Sequence, residues 1–240
     1  MNLAIDIGNT RMKWALFDGG RMSDHGTAEA SQLAEVCRSH DWQRGILCAT
    51  GACDLDSLGS MAGALHILSS RSRLPIAIDY ATLGTLGPDR IAAACGAWKA
   101  FPGRNSLVID AGTCITIDFV DNTGTYRGGA ILPGIAMKFR ALHTFTAKLP
   151  LIDNIDADTA ILTGRSTDES ILAGVLSATR FAVEGFAARY AKEHGDMQVI
   201  LTGGDAGQLW GSGQLHIPSC SLCPWLVLDG LNEILNANEE

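Results

Sequence analysis

Apolar residues run from Leu3 to Ile7, stop at Gly8, and resume from Met12 to Phe17 before Asp18-Gly19-Gly20. Short apolar runs separated by turn residues predict strand, tight turn and strand, so a β-hairpin opens the chain. The pattern returns as Leu107–Ile109, then Asp110-Ala111-Gly112-Thr113, Ile115–Val120 and a turn at Asp121-Asn122-Thr123-Gly124. Setting Asp110 on Asp6 also sets Ile109 on Ile5, Gly112 on Gly8 and Gly124 on Gly20, so the chain reads as a duplication. So long a period excludes a solenoid, whose units span about 20–50 residues. It predicts two related domains, each presenting strand, acid, glycine turn and returning strand toward a shared cleft.

Between the copies, Ile91, Ala94, Cys95 and Trp98 have helical spacing behind Pro88, a residue suited to a first turn. This predicted helix stops at Pro102-Gly103, which places the domain division at residues 1–103 and 104–240. Later, Ser166 and Glu169 have the spacing of a capping box. The apolar positions Ile171, Leu172, Val175, Val183 and Phe186 then carry a helix to about Glu193. Val199–Leu201 reads as a buried strand ending in Thr202-Gly203-Gly204-Asp205, and ligands collect at such carboxyl ends in α/β sheets.

Of the 240 residues, 47% are apolar and 18% charged, which excludes a disordered or fibrous chain and agrees with further surface being covered by a partner. The net charge of −8 and the absence of a Lys/Arg run argue against a nucleic-acid partner. Met1–Thr10 lacks the basic and apolar regions of a signal peptide, and no contiguous apolar run approaches about 18 residues, so a cytoplasmic protein is expected, with no membrane partner. Seven scattered cysteines suit reduced thiols. Cys220 and Cys223 form one C-x-x-C with His216 nearby, but zinc needs a second ligand pair and the sequence offers none.

The segment Asp6-Ile7-Gly8-Asn9-Thr10-Arg11-Met12-Lys13 offers the residue types a nucleoside triphosphate needs. Gly8 lets backbone amides approach phosphate oxygens, Thr10 supplies a hydroxyl, and Lys13 can neutralise phosphate charge. Asp6 can hold Mg²⁺ directly or through water. An ordinary hairpin turn over Gly8-Asn9 explains the same residues. The second copy, Asp110-x-Gly112-Thr113, favours the cradle, because two strand-end acids in one cleft repel unless cations accompany them. Neither a P-loop nor a G-x-G-x-x-G fingerprint occurs.

The ordered set IDIGNTRMK, GPDR, VIDAGTCITIDFV, GGAILPG, TAKLP, GRSTDES and LTGGDA resembles the type III pantothenate kinases, which belong to the acetate and sugar kinase, Hsp70 and actin superfamily. The resemblance covers nearly the whole chain. It implies an α/β, duplicated ribonuclease-H-like (actin-like) fold with the active site between two domains. It also implies ATP-dependent phosphorylation of pantothenate, the step that opens coenzyme A biosynthesis, in a homodimer.

By that resemblance, Asp6 to Lys13 bind ATP, with Thr113 as a further ATP contact. Asp110 matches the ligand of a monovalent cation, K⁺ or NH₄⁺. Tyr80, Gly87, Pro88, Asp89 and Arg90 match pantothenate-binding positions, and Asp89 matches the catalytic base. Thr167 matches a pantothenate contact supplied across the dimer interface. Read without the family, Asp89 is an acid favoured in a first helical turn, Arg90 a substrate partner or surface charge, and Thr167 a helix-start residue. Glu184 stays unassigned, and His143 reads as a packed or half-exposed residue.

Three positions depart from the pattern: Pro88 where Ala is common, Lys138 where a small polar residue is expected, and Ser166 in place of Asn. Pro88 removes an amide donor, so a backbone contact from that residue cannot be inherited. Two other readings remain: a non-catalytic accessory factor serving transcription or another partner, and a superfamily enzyme acting on a different substrate, such as a sugar kinase or a polyphosphate hydrolase.

Overall fold

The computed structural model describes residues 1–153, 162–211 and 215–238. The chain divides into two compact units. Unit 1 comprises Met1–Gly103, Val120–Gly128 and Trp225–Glu240; unit 2 comprises Arg104–Phe119 and Gly129–Pro224.

In unit 1, β1 (Asn2–Ile7), β2 (Met12–Asp18) and β3 (Arg21–Ala28) form an antiparallel meander, followed by α1 (Leu33–Ser39) and β4 (Arg44–Ala49). With β5 (Leu65–Ile67) the sheet order is β3-β2-β1-β4-β5, β4 and β5 running parallel to β1. Strand alternation then sorts the side chains. Leu3, Ile5 and Ile7 enter a core with Leu33, Val36 and Leu58, while Ala4 and Asp6 take the opposite face.

That opposite face is covered by helices. The short β6 (Ala77–Ile78) precedes α2 (Pro88–Ala100), which has Pro88 as its first residue and ends at Phe101, as the apolar spacing predicts. Pro88 costs α2 no hydrogen bond, because a first-turn N–H has no intrahelical acceptor.

Unit 2 is built on β7 (Asn105–Ala111), β8 (Cys114–Val120) and β9 (Thr125–Pro133). Residues Thr125 and Tyr126 of β9 pair with Ala77 and Ile78 of β6 and are counted in unit 1. Then follow α3 (Ile135–Thr144), α4 (Thr167–Leu172), a π-helical turn (Ala173–Ser177) and α5 (Ala178–His194). β10 (Met197–Thr202) pairs in parallel with β7, and α6 (Ala206–Gly211) leads to β11 (Cys220–Leu222), parallel to β10. Leu107, Ile109, Ile117, Val199 and Leu201 form the centre of its core, against Ile171, Val175 and Val183 of the long helix.

α7 (Leu226–Ala237) closes the chain and belongs to unit 1, which differs from a division at residue 103 that leaves the whole remainder to a second domain. The reason is packing that no local pattern reports. A Cβ on Gly230 would overlap the Ala92 carbonyl oxygen and one on Gly96 the Leu226 carbonyl oxygen, so α2 and α7 cross backbone to backbone. Buried Asn232 donates to Gly19 O at 3.1 Å and accepts from Asn2 Nδ2 at 3.0 Å, while Arg44 donates to Leu235 O at 2.8 Å.

The continuous helix Thr167–His194, 28 residues, has the length and overall composition of a membrane-crossing helix, although it holds no contiguous apolar run of that length. Arg180 and Glu184 interrupt its apolar residues, which hides the length from a search for contiguous runs. Ile171, Val175, Val183 and Ala187 pack into the unit 2 core, and Thr179 and Arg180 are buried.

Candidate active site

The hairpin β1–β2 places Asp6 and Lys13 opposite each other in register, and parallel pairing places Cys48 of β4 beside Asp6. All three side chains therefore share the face opposite the Leu3-Ile5-Ile7 core. The connecting loop Gly8–Arg11 closes through Gly8 N donating to Arg11 O at 3.1 Å. Thr50 N and Gly51 N both donate to Ile7 O, at 2.9 and 3.2 Å, and a Cβ on Gly51 would stand 2.5 Å from Gly8 O. Glycine at 51 lets the loop after β4 lie against this turn, while Asn9, Thr10 and Arg11 stay exposed.

Asp89 occupies the first turn of α2, with its Oδ1 accepting from Arg90 N at 2.9 Å. A Cβ on Gly87 would lie 2.5 Å from that oxygen, so the glycine makes room for the folded-back carboxylate. Burial raises the Cys48 thiol well above its ordinary pKa, and the charges of Asp6 and Asp89 together with a hydrogen bond to Asp6 push it further. Asp6 at the end of β1 and Asp89 at the start of α2 thus both act electrostatically on one buried thiol. Arg90 is only 7% exposed, which removes its reading as a surface charge.

Tyr80 lies in the same unit, half-buried. Its ring stands 6.0 Å from that of fully buried Tyr126 and against Gly128, φ +93°, where a Cβ would stand 3.4 Å from the ring. Arg127 bridges Asp79 and Asp121 at 2.7 and 2.8 Å beside it.

In unit 2 the second hairpin has the same plan with a shorter turn. Gly112 N donates to Cys114 O at 2.9 Å, so two residues connect β7 to β8 where four connect β1 to β2. The copies align through the acid and the first glycine, and the register slips in the turn. Around Asp110 the backbone is crowded. A Cβ on Gly203, at φ +97°, would overlap both Asp110 Oδ1 and Ala111 O, and one on Gly134 would overlap the carbonyls of Gly112 and Thr113. Asp205 N donates to Ala111 O at 2.8 Å, and burial raises the Asp205 carboxyl. The carboxylate and carbonyl oxygens gathered here are the donor set that hard cations take. Thr113 is exposed beside them.

Thr167 is the first residue of α4 and lines a cavity of about 730 Å³ with Leu142, Leu149 and Ile171. The predicted cap is half as drawn: Ser166 Oγ accepts from Glu169 N at 3.2 Å, but the Glu169 carboxylate accepts from Arg165 N at 2.6 Å rather than from Ser166. Lys138 donates to Thr179 Oγ1 at 2.7 Å, and burial lowers its pKa. Glu184 accepts from His216 N at 2.8 Å, and exposed His143 contacts Leu149 O. Among the described residues, no group of three or more potential metal-ligating side chains is present.

The structure thus brings Asp6 and Lys13 together with Cys48, and holds Asp110 and Thr113 in one crowded turn; Asp89 and Tyr80 lie in unit 1 and Thr167 in unit 2. Cys48, Gly51, Gly203 and Asp205 contribute without forming any part of the acid-glycine patterns. The nearest sequence signal for them was a glycine or small residue just after an apolar strand.

The family model for type III pantothenate kinase matches residues 2–189. The chain belongs to the type III pantothenate kinases. It is 40% identical to the type III pantothenate kinase of Cytophaga hutchinsonii over 242 residues, covering 99% of this chain and 100% of that one. With the type III pantothenate kinase of Bacteroides fragilis the identity is 39% over 245 residues, covering 99% and 98%. Among solved structures, component A of the (R)-2-hydroxyglutaryl-CoA dehydratase of Acidaminococcus fermentans aligns with a TM-score of 0.52 at 14% identity, over 99% of each chain. The type III pantothenate kinase chain therefore has the duplicated, ribonuclease-H-like actin fold that the family resemblance implied.

Proposed function

We propose that this chain transfers the terminal phosphoryl group of ATP to the primary hydroxyl of pantothenate, giving ADP and 4′-phosphopantothenate at the start of coenzyme A biosynthesis. The observation that carries the reading is the strand register that sets Asp6, Lys13 and Cys48 side by side on one face of the sheet, within a chain that belongs to this kinase family.

Phosphoryl transfer depends mainly on positioning and charge neutralisation, because its transition state is loose. Lys13 and the Gly8–Arg11 turn receive phosphate oxygens, and Thr113 contacts the same nucleotide. Asp6 would hold Mg²⁺ through water, and Asp110 would hold a monovalent cation, K⁺ or NH₄⁺; glycine at 203 leaves the Asp110 carboxylate its room. When bound, these ions screen the phosphate charge. Asp89 orients the pantothenate hydroxyl and accepts its proton as the oxygen bonds to the γ-phosphorus and the bond to the β-phosphate oxygen breaks. Tyr80, Gly87, Arg90 and Thr167 hold the pantothenate. Pro88 contributes no amide, in keeping with its place at the start of α2.

The reading includes a cytoplasmic homodimer in which Thr167 serves the partner copy's substrate. An ADP-release assay with ATP, Mg²⁺ and either KCl or NH₄Cl tests the reaction. A pantothenate-dependent rate is expected, and its absence in both salts, with folded protein, refutes the assignment. Light scattering at micromolar concentration tests the dimer.

A further inference from the structure

Lys13 sits in β2 opposite Asp6, and the register of β2 with β3 puts Ala15 opposite His25. Lys13, Ala15 and His25 therefore share one face of the meander. Trp225 closes over that face from the far end of the chain. The Lys13 ammonium lies 5.8 Å from the centre of its ring, and the His25 ring packs tilted against it, with centroids 4.4 Å apart and planes at 30°. Trp225 is the residue immediately before α7, whose hydrogen bonds to β1, β4 and the β2–β3 turn fix its place within unit 1. It lies outside residues 2–189, the part of the chain that the family model matches.

From this arrangement we infer that Trp225 is a positioning residue for the phosphate-binding Lys13, its indole face holding the ammonium in place for the nucleotide. The inference rests on the role proposed above for Lys13. An aromatic face attracts a cation through its quadrupole and takes none of the three N–H donors. A carboxylate would anchor the same lysine more strongly, but it would cancel the charge and compete with phosphate oxygens for those donors. An unanchored lysine would lose side-chain entropy on every binding event. The indole therefore orders the ammonium and leaves it available. The His25 ring packs against the same indole and restricts its movement.

The test uses the full chain, with ADP affinity measured by calorimetry and separate KM values for ATP and pantothenate. Trp225→Leu is expected to weaken ADP and raise the ATP KM by roughly 3- to 30-fold, as loss of a cation–π contact implies, while the pantothenate KM stays within about 2-fold. Trp225→Phe, which retains an aromatic face, restores most of the affinity. Trp225→Met keeps the apolar volume without that face, and replaces the Leu variant if the latter does not fold. In a Lys13→Met background, Trp225→Leu has no further effect on ADP. An unchanged ADP affinity in folded Trp225→Leu or Trp225→Met overturns the inference, as does an equal loss in the Lys13→Met background. If Lys13→Met itself leaves ADP affinity intact, the nucleotide role of Lys13 fails first and the inference falls with it.

Discussion

Replacing Gly203 by alanine tests whether the crowded turn around Asp110 is a built cation site. Two penalties follow from the structure. Gly203 has φ +97°, where an L side chain costs about 1–2 kcal/mol. The new Cβ would overlap Asp110 Oδ1 and Ala111 O, and overpacking of this kind costs about 1–3 kcal/mol more. The neighbours cannot yield cheaply, because one is backbone and its carbonyl also accepts from Asp205 N at 2.8 Å. The sum, about 2–5 kcal/mol, is a large share of a typical folding stability and corresponds to a fall in Tm of roughly 4–20 °C for a chain of this length. Since the atom displaced is a carboxylate oxygen of Asp110, the variant is also expected to need more K⁺ or NH₄⁺ for half-maximal rate, and to show less stabilisation by either ion in a thermal melt. Both readouts compare the variant with wild type across a salt series, using choline chloride to hold ionic strength. A variant that melts within about 1 °C of wild type with an unchanged cation response refutes both the steric reasoning and the assignment of Asp110.

Asp89→Asn keeps the size of the side chain and removes its charge; kcat is expected to fall by about 10²- to 10⁴-fold with ADP affinity kept, and near-normal turnover would leave Asp89 as a helix-start acid. The carboxyl of Asp121, though partial burial raises it, is brought down from an ordinary 3.8 to about 2 by hydrogen bonds from Thr123, Thr125 and Arg127. Its charged form therefore stabilises the fold above the unfolded value, and that contribution disappears as pH falls through the folded one. Asp121→Asn should accordingly melt below wild type at pH 7, with the gap closing between about pH 4 and pH 2; a gap independent of pH contradicts the sign. Gly230→Ala puts a Cβ into the Ala92 carbonyl oxygen, so α2 and α7 must separate. A loss of about 1–3 kcal/mol or more is expected in denaturant melts, and an unaltered midpoint would show that the helices have slack.

Several features could be read directly because short-range chemistry decides them. The apolar run Leu3–Ile7 ahead of Gly8 already marked the first strand, with Asp6 near its end. Pro88 followed by helical spacing, and Pro102-Gly103 after it, marked α2 nearly to the residue. The repeated acid-glycine turn marked both hairpins, though the shorter second turn shows that similarity of pattern does not conserve loop length. The cap at Ser166 was visible, but the position reached by the Glu169 side chain was not, since a flexible carboxylate has several backbone amides within range.

What the chain determined by itself was a set of local elements, the acids that end its strands, and family membership through an ordered series of motifs. Tertiary structure alone decided that α7 packs against the first hairpin, that Trp225 lies over Lys13, and that Cys48 lies beside Asp6. Each of these joins residues tens to hundreds of positions apart. Local periodicity and turn preference extend over only a few residues, whereas such contacts are chosen by which apolar faces can be buried together with their backbone polar groups satisfied.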